Sequence, residues 1–153
     1  MIDSTHLYDL WATAAAPVRT AAPLGSRGTS IIREGMVTGD RIRGRLLPGG
    51  GDWMLTDAQG VGHIDARYMI ETEDGAIVQA FYGGRLVFLG DALQRLREGK
   101  PLAEDDLYFR VAVTFNAPPE YGWLNQVQGI GIGSIEPTAA GCNIVRYRVF
   151  EIL

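Results

Sequence analysis

The sequence predicts a mainly β protein, a single antiparallel β-barrel that is closed or nearly closed, with about eight strands and one short helix. Short runs of alternating or β-branched residues recur along all 153 residues, and Gly, Pro and Asp separate them. The 20 glycines are spread through the chain, which indicates many turns rather than long helices. No linker or fixed-period repeat interrupts this pattern, so we expect one domain over residues 1–153.

The strands are predicted from alternation of apolar and polar residues and from β-branched content. They are expected at 6–13, 29–33, 41–47, 53–56, 61–72, 76–82, 106–116, 123–135 and 144–152. Residues 14–28 are small and polar with several prolines and glycines, and a loop is expected there. Gly35 and the Gly39-Asp40 pair are expected to mark turns.

One segment has helical spacing. Leu93 and Leu96 recur at the period of an α-helix, and Gly99 and Pro101 follow as stop signals, so a helix is predicted over 91–97. The glycine-spaced segment 123–135 is instead expected to be a strand in a crowded place.

Composition excludes several classes of function. The net charge is −4, whereas a protein that binds a phosphate backbone is usually basic, so nucleic acid is not an expected partner. No apolar run reaches the ~20 residues that a membrane-spanning helix needs. The N-terminus lacks a basic region followed by an apolar core, and a cytoplasmic location is expected. Cys142 is the only cysteine, which excludes an intrachain disulfide and, with only two histidines, makes a Cys/His zinc site implausible.

Short blocks that are individually unspecific occur together in a characteristic order. They are Arg43-Gly44, Leu47-Pro48-Gly49-Gly50, Asp52-Trp53, Asp65-Ala66-Arg67-Tyr68, Glu71, Asp74-Gly75, Tyr108-Phe109-Arg110, Tyr121, Trp123-Leu124-Asn125, Gly131, Gly133 and Val149-Phe150-Glu151. The ordered set resembles the DUF3237 family, also named UPF0311, over nearly the whole chain. This resemblance implies a compact barrel similar to allene oxide cyclase-like or calycin-like barrels. Some fungal members are associated with cofactor-independent cyclisation of phenolic natural products, so the resemblance leaves enzyme activity without a cofactor open here.

An ionisable row on the strand predicted at 61–72 is the first candidate site. His63, Asp65 and Arg67 share one face of this strand. If that face points into the barrel, the row forms a charged pocket floor, with Asp65 as acid or base and Arg67 as an anchor for negative charge. The alternative is a solvated sheet face, on which Asp65 and Arg67 form a surface ion pair of small energetic value.

Asp52 and Trp53 form a second candidate, because they follow a glycine-rich turn and lie where a predicted strand begins. Trp53 could stack on an aromatic ligand while Asp52 takes a proton from a phenol or alcohol. The alternative is that Asp52 caps the turn and Trp53 fills the core.

Further ligand-binding candidates lie elsewhere in the chain. Tyr121, Trp123 and Asn125 follow Pro118-Pro119 and are interpreted either as a pocket lip or as a plug that closes one barrel end. Arg43 could bind an anionic group, or belong to an exterior stripe paired with acidic residues of the next strand. Arg110 is a second candidate for holding developing negative charge.

These residues lead to a function hypothesis and two rivals. The leading hypothesis is an isomerase, cyclase or lyase that acts by proton transfer on a small aromatic or apolar molecule, with no cofactor and no metal. The first rival is a non-catalytic barrel that binds the same class of ligand. The second is a structural module that forms homo-oligomers through exposed apolar patches.

Overall fold

The computed structural model describes residues 1–139 and 142–153 of the chain. The strands are β1 Ser4–Ala14, β2 Val18–Ala22, β3 Gly25–Thr38, β4 Arg43–Leu46, β5 Gly51–Asp57, β6 Gly62–Thr72, β7 Ile77–Phe88, β8 Leu107–Asn116, β9 Gly129–Pro137 and β10 Asn143–Ile152. The helix α1 is Ala92–Arg97, and two 3₁₀ helices cover Glu104–Asp106 and Pro119–Gln126. Within the described ranges, no helix is both long enough and apolar enough to cross a membrane.

The barrel closes because β1 pairs antiparallel with both β10 and β3. From β10 the ladder continues in order through β9, β8, β7 and β6. β6 then pairs with β4 and with β5, which lie one after the other along β3 and complete the ring. The expected closed or nearly closed antiparallel barrel of about eight strands with one short helix is confirmed: the ring is closed and has eight positions, because β4 and β5 share one position and β2 pairs with β3 alone.

The barrel interior takes the apolar set of each alternating strand, as in other small closed barrels. On β6 the even-numbered residues from Ile64 to Ile70 are buried, and their odd-numbered neighbours are not. The core also contains Leu10, Val37, Ile42, Val78, Val113 and Val149. Aromatic side chains, among them Tyr8, Tyr82 and Phe115, belong to the same core cluster.

The loop predicted at 14–28 is wrong, because β2 and the start of β3 form an antiparallel hairpin there. The residues of this hairpin do not alternate between apolar and polar side chains, which hid the strands from sequence reasoning. The turn predicted at Gly35 is also wrong, since β3 runs straight through it. A Cβ atom at Gly35 would lie 2.4 Å from the Trp11 carbonyl oxygen, so this glycine permits close strand contact rather than a turn.

The strand predicted at 123–135 begins only at Gly129. Before this strand lies the 3₁₀ helix Pro119–Gln126. The Asn125 side chain stabilises this helix, because it accepts a hydrogen bond from the Ala117 N–H at 2.8 Å and donates one to the Ala117 carbonyl at 2.9 Å. The expected crowding is confirmed: a Cβ atom at Gly133 would lie 2.5 Å from the Phe109 ring, and one at Gly131 would lie 2.6 Å from a Val111 methyl.

Two adjacent glycines of β7 give a matched test of strand packing. A Cβ atom at Gly84 would lie 2.0 Å from the Arg110 carbonyl oxygen, whereas one at Gly83 would meet nothing within 4 Å. We therefore expect Gly84→Ala to lower the free energy of unfolding by about 3 kcal/mol and Gly83→Ala to change it by less than about 0.5 kcal/mol. Urea unfolding of both variants measures the difference, and equal values would contradict the register of β7 and β8.

Candidate functional site

A cavity of about 420 Å³ occupies one end of the barrel. At this end β1, β7 and β9 finish, and β6, β8 and β10 begin. Apolar side chains form much of its wall, including Ile32, Met54, Ile64, Leu86, Phe88, Phe109, Ile135 and Val145. The cavity is large enough for a small aromatic or aliphatic molecule and falls in the size range of ligand sites in proteins.

Asp52 on β5 points into this cavity. It lies opposite Ala66 of β6 and Ser30 of β3, and cross-strand partners share one face of a sheet. Between Asp52 and Leu55 the ladder to β6 is interrupted. In that gap the Asp65 backbone N–H donates a hydrogen bond to Asp52 Oδ1 at 3.1 Å. The carboxylate thus stabilises a break in the sheet and stays directed at the cavity.

The Asp52 carboxyl group is poised to exchange a proton near neutral pH. Desolvation in the barrel raises its pKa to about 6, with a smaller upward contribution from the nearby charge of Asp65. The hydrogen bond from the Asp65 N–H acts in the opposite direction, since it stabilises the ionised form. Both protonation states of Asp52 are therefore accessible at physiological pH, which is the condition for a general acid or base.

Two buried phenols accompany Asp52 in the cavity wall, Tyr68 of β6 and Tyr147 of β10. Burial raises the pKa of each well above its usual range, and the negative charge of Asp52 adds to the effect. Both hydroxyls stay protonated at any physiological pH, and they hydrogen-bond to each other. Each hydroxyl can instead donate its single hydrogen to an oxygen in the cavity. The site therefore joins a titrating carboxyl group to permanently neutral donors.

Two further tyrosines extend this cluster into the core. The hydroxyls of Tyr8 and Tyr82 are 2.5 Å apart and hydrogen-bond to each other. The ring centroid of Tyr82 lies 4.8 Å from that of Tyr68 and 5.1 Å from that of Tyr147. Tyr8 and Tyr82 do not line the cavity. Tyr82 packs against the rings of the two cavity tyrosines, and Tyr8 holds the Tyr82 hydroxyl.

The outer part of the cavity is built by α1 and by the β2–β3 hairpin. Leu93, Leu96 and Arg97 share one face of α1 and line the cavity from one side. Arg19 of β2 lines it as well, with its guanidinium over Gly28. Leu93 and both arginines are exposed, so this part of the cavity wall is in contact with solvent.

The predicted inward orientation of the His63, Asp65 and Arg67 row is wrong. The side chains of Asp65 and Arg67 are 51% and 61% exposed, and their charged atoms approach to 3.7 Å. The apolar even-numbered residues of β6 fill the interior and leave the charged set outside, because burial of unpaired charges is costly. The alternative, a surface ion pair, describes Asp65 and Arg67 correctly.

His63 and Trp53 also face away from the cavity. His63 Nε2 lies 2.8 Å from Asp57 Oδ2, and this hydrogen bond lowers the pKa of Asp57. Trp53 is next to Asp52 on β5 and so points to the opposite face, where Arg67 lies 5.7 Å from its ring centroid. Of the Asp52-Trp53 pair, only Asp52 therefore faces the cavity, and the Trp53 ring lies on the outer face of the barrel.

Tyr121, Trp123 and Asn125 lie at the opposite end of the barrel from the cavity. The Tyr121 hydroxyl donates to Asp74 Oδ1 at 3.0 Å, and the Arg41 guanidinium lies 3.5 Å from the Trp123 ring centroid. Tyr121 and Trp123 pack against the core, so the plug interpretation describes their position, and none of the three residues lines the cavity. A ligand-binding role for them stays a prediction.

The predicted arginines lie on the barrel exterior. Arg43 donates to the Gly39 carbonyl at 2.9 Å, and Arg45 beside it pairs with Glu71 of the next strand, as the exterior alternative predicts. Arg110 donates to the Phe109 carbonyl and lies 5.4 Å from the Tyr108 ring centroid. Binding or catalytic roles for these exterior residues stay predictions.

Sequence reasoning missed Tyr68 and Tyr147 as site residues. Both lie on the inward, apolar rows of their strands, where the pattern predicts core. The available signal was that a tyrosine on a core-facing row needs a partner for its hydroxyl.

In the part of the chain that the structure describes, no three His, Cys, Asp or Glu side chains are grouped so that they could hold a metal ion.

Comparisons with known proteins agree with the fold. The chain is 32% identical over 125 residues to a UPF0311 protein of Rhodopseudomonas palustris, covering 78% of this chain and 82% of the relative. A crystal structure of a conserved protein of unknown function from Rhodopseudomonas palustris superposes with a TM-score of 0.89 at 25% identity, covering 100% of this chain and 98% of the other.

A more distant crystal structure, described as an enzyme from Penicillium herquei, superposes with a TM-score of 0.70 at 20% identity over 99% of this chain and 95% of the other. The family described as "Protein of unknown function (DUF3237)" matches residues 3–152. The chain belongs to the DUF3237 family, whose curated relatives are named UPF0311.

Proposed function

We propose that this barrel catalyses proton transfer on a small apolar or aromatic substrate, as an isomerase or an intramolecular cyclase. The observation that carries the proposal is the placement of Asp52 beside Tyr68 and Tyr147 in one apolar cavity. This arrangement combines a base whose pKa is near neutrality with donors that can stabilise a developing oxyanion.

The proposed reaction uses groups of the chain alone. The Asp52 carboxylate removes a proton from a carbon next to a carbonyl, or from a hydroxyl group that adds to a conjugated double bond. The electron pair moves onto the carbonyl oxygen, to which Tyr68 and Tyr147 donate hydrogen bonds. Protonated Asp52 then returns the proton to carbon, which restores the enzyme and balances the reaction. The apolar wall keeps water away from the intermediate.

The fold is compatible with catalysis. A barrel of this topology from Penicillium herquei is described as an enzyme, which supports the view that such a barrel can hold a reactive site. The exterior candidates Asp65 and Arg67 have no comparable support, since both are solvent-exposed and outside the cavity. Asp52, one of the two aspartates expected from the sequence, is therefore the acid and base of the proposed reaction.

The proposal is tested by a screen in deuterium oxide. Phenols with a neighbouring alkene that is conjugated to a carbonyl group, and α,β-unsaturated ketones, are incubated with the protein, and NMR and mass spectrometry detect isomerisation, cyclisation or deuterium in the compound. Because the base must be ionised, kcat/KM should rise about tenfold per pH unit below the Asp52 pKa of about 6 and level off above it. Binding of such compounds without exchange or conversion would favour the rival function, a ligand-binding barrel.

A further inference from the structure

The cavity carries charges of opposite sign at different depths. Of the described residues that line it, Asp52, Arg19 and Arg97 are charged. Asp52 is half-buried, while Arg19 and Arg97 are exposed and come from two separate elements, β2 and α1. Two cations thus stand at the solvent side of an apolar cavity in a protein whose net charge is −4.

Neither Arg19 nor Arg97 forms an ion pair with a described residue, unlike many other arginines of this barrel. The acidic groups near Arg97 are already engaged. Arg95 binds both Asp91 and Asp106, and Glu98 pairs with Lys100. The two guanidinium groups at the cavity are consequently available to a ligand.

We infer that the substrate is an amphipathic anion, with an apolar or aromatic body and a carboxylate group that docks at Arg19 and Arg97. This inference rests on the proposed function, because it takes the cavity as the substrate site. Guanidinium groups bind carboxylates through paired N–H donors, and the apolar wall accepts the body of the molecule. The negative charge of ionised Asp52 disfavours the reverse orientation, so the reacting end enters first and the carboxylate stays at the mouth.

The test compares probes that differ in charge and not in shape. Benzoate, 2-naphthoate and 4-phenylbenzoate are each paired with the matching carboxamide, and calorimetry at about pH 8 and low salt measures Kd. We expect at least one carboxylate to bind about tenfold more tightly than its amide. In the Arg19→Ala/Arg97→Ala double variant this preference should disappear while the amide affinity stays unchanged. The control is Arg85→Ala, which removes an exposed arginine that does not line the cavity and should keep the preference.

Equal affinity for carboxylates and amides would overturn the inference, as would a preference that survives the double variant. Failure of all three carboxylates to bind below about 1 mM would overturn it as well. The Asp52→Asn variant separates this inference from the proposed reaction, because the arginines bind an anion without the carboxyl group. A charge preference retained in Asp52→Asn, together with no turnover of any compound by the wild type, would overturn the reaction and support the anion site.

Discussion

Replacement of Asp52 by Asn is expected to lower turnover by orders of magnitude and to stabilise the fold at the same time. Asparagine keeps the shape of the side chain and an oxygen that accepts the Asp65 N–H, but it can neither take nor return a proton. We expect kcat to fall by about 10²- to 10⁴-fold, the usual contribution of a positioned acid–base group. Steady-state kinetics with the compound found by the deuterium screen measures this loss.

The stability gain follows from the direction of the pKa shift. Folding raises the Asp52 pKa from 3.8 to about 6, so the native state binds more protons than the unfolded state between these values. Stability therefore falls as pH rises through this window, and the full cost of ionised Asp52 is present above about pH 6. Since Asp52 is only half-buried, we expect Asp52→Asn to recover about 2 kcal/mol, or about 5 °C in Tm, at pH 8.

A matched control separates this effect from a general change of charge. Asp40 is exposed in the turn between β3 and β4, and the Asp40→Asn variant should change neither kcat nor Tm beyond experimental error. Thermal unfolding of both variants at several pH values gives the comparison, and the advantage of Asp52→Asn should vanish below about pH 4. A lower Tm for Asp52→Asn at pH 8, or normal turnover, would contradict the assigned role.

Removal of the Tyr68 hydroxyl should produce the second large effect. If Tyr68 donates to the developing oxyanion, Tyr68→Phe should lower kcat by about 10²-fold, the usual cost of losing one such donor. Substrate affinity should change much less, because the hydrogen bond strengthens only as charge develops. The pH profile should keep its midpoint near 6, since Asp52 is still present.

Tyr8→Phe is the matched control, with the same chemical change deeper in the barrel. Tyr8 hydrogen-bonds to Tyr82 and does not line the cavity. Its replacement leaves the Tyr82 hydroxyl without this partner and should lower the free energy of unfolding by about 1 to 2 kcal/mol while kcat is retained. Equal losses of kcat in the two variants, or no loss in Tyr68→Phe, would contradict the proposed division between catalysis and support.

The barrel was predictable because alternation along β6 and β8 separates an apolar set from a polar set with a period of two. The β2–β3 hairpin was not, since Val18–Ala22 lacks that pattern and is held by its pairing with β3. The 3₁₀ helix Pro119–Gln126 depends on the Asn125 side chain bonding back to Ala117, a contact that no periodicity encodes.

For the site, sequence reasoning identified Asp52 but not its partners. Asp52 was identifiable because a carboxylate between a glycine-rich turn and the start of a strand is either a turn cap or a reactive group. Tyr68 and Tyr147 come from β6 and β10, which are not neighbours in the sheet, so only barrel closure brings them to one cavity. The ionisable odd-numbered residues of β6 suggested a site through their residue types. Burial of the apolar even-numbered residues determines which face of β6 is inside.

The central claim is that Asp52 faces the cavity with a carboxyl group that titrates near neutral pH. An NMR titration of the aspartate carboxyl carbons, with Asp52→Asn used to assign the resonance, measures this pKa directly. We predict a midpoint at about 6. A midpoint at the ordinary value of 3.8 would show that Asp52 is solvated like any surface carboxylate and would contradict the account.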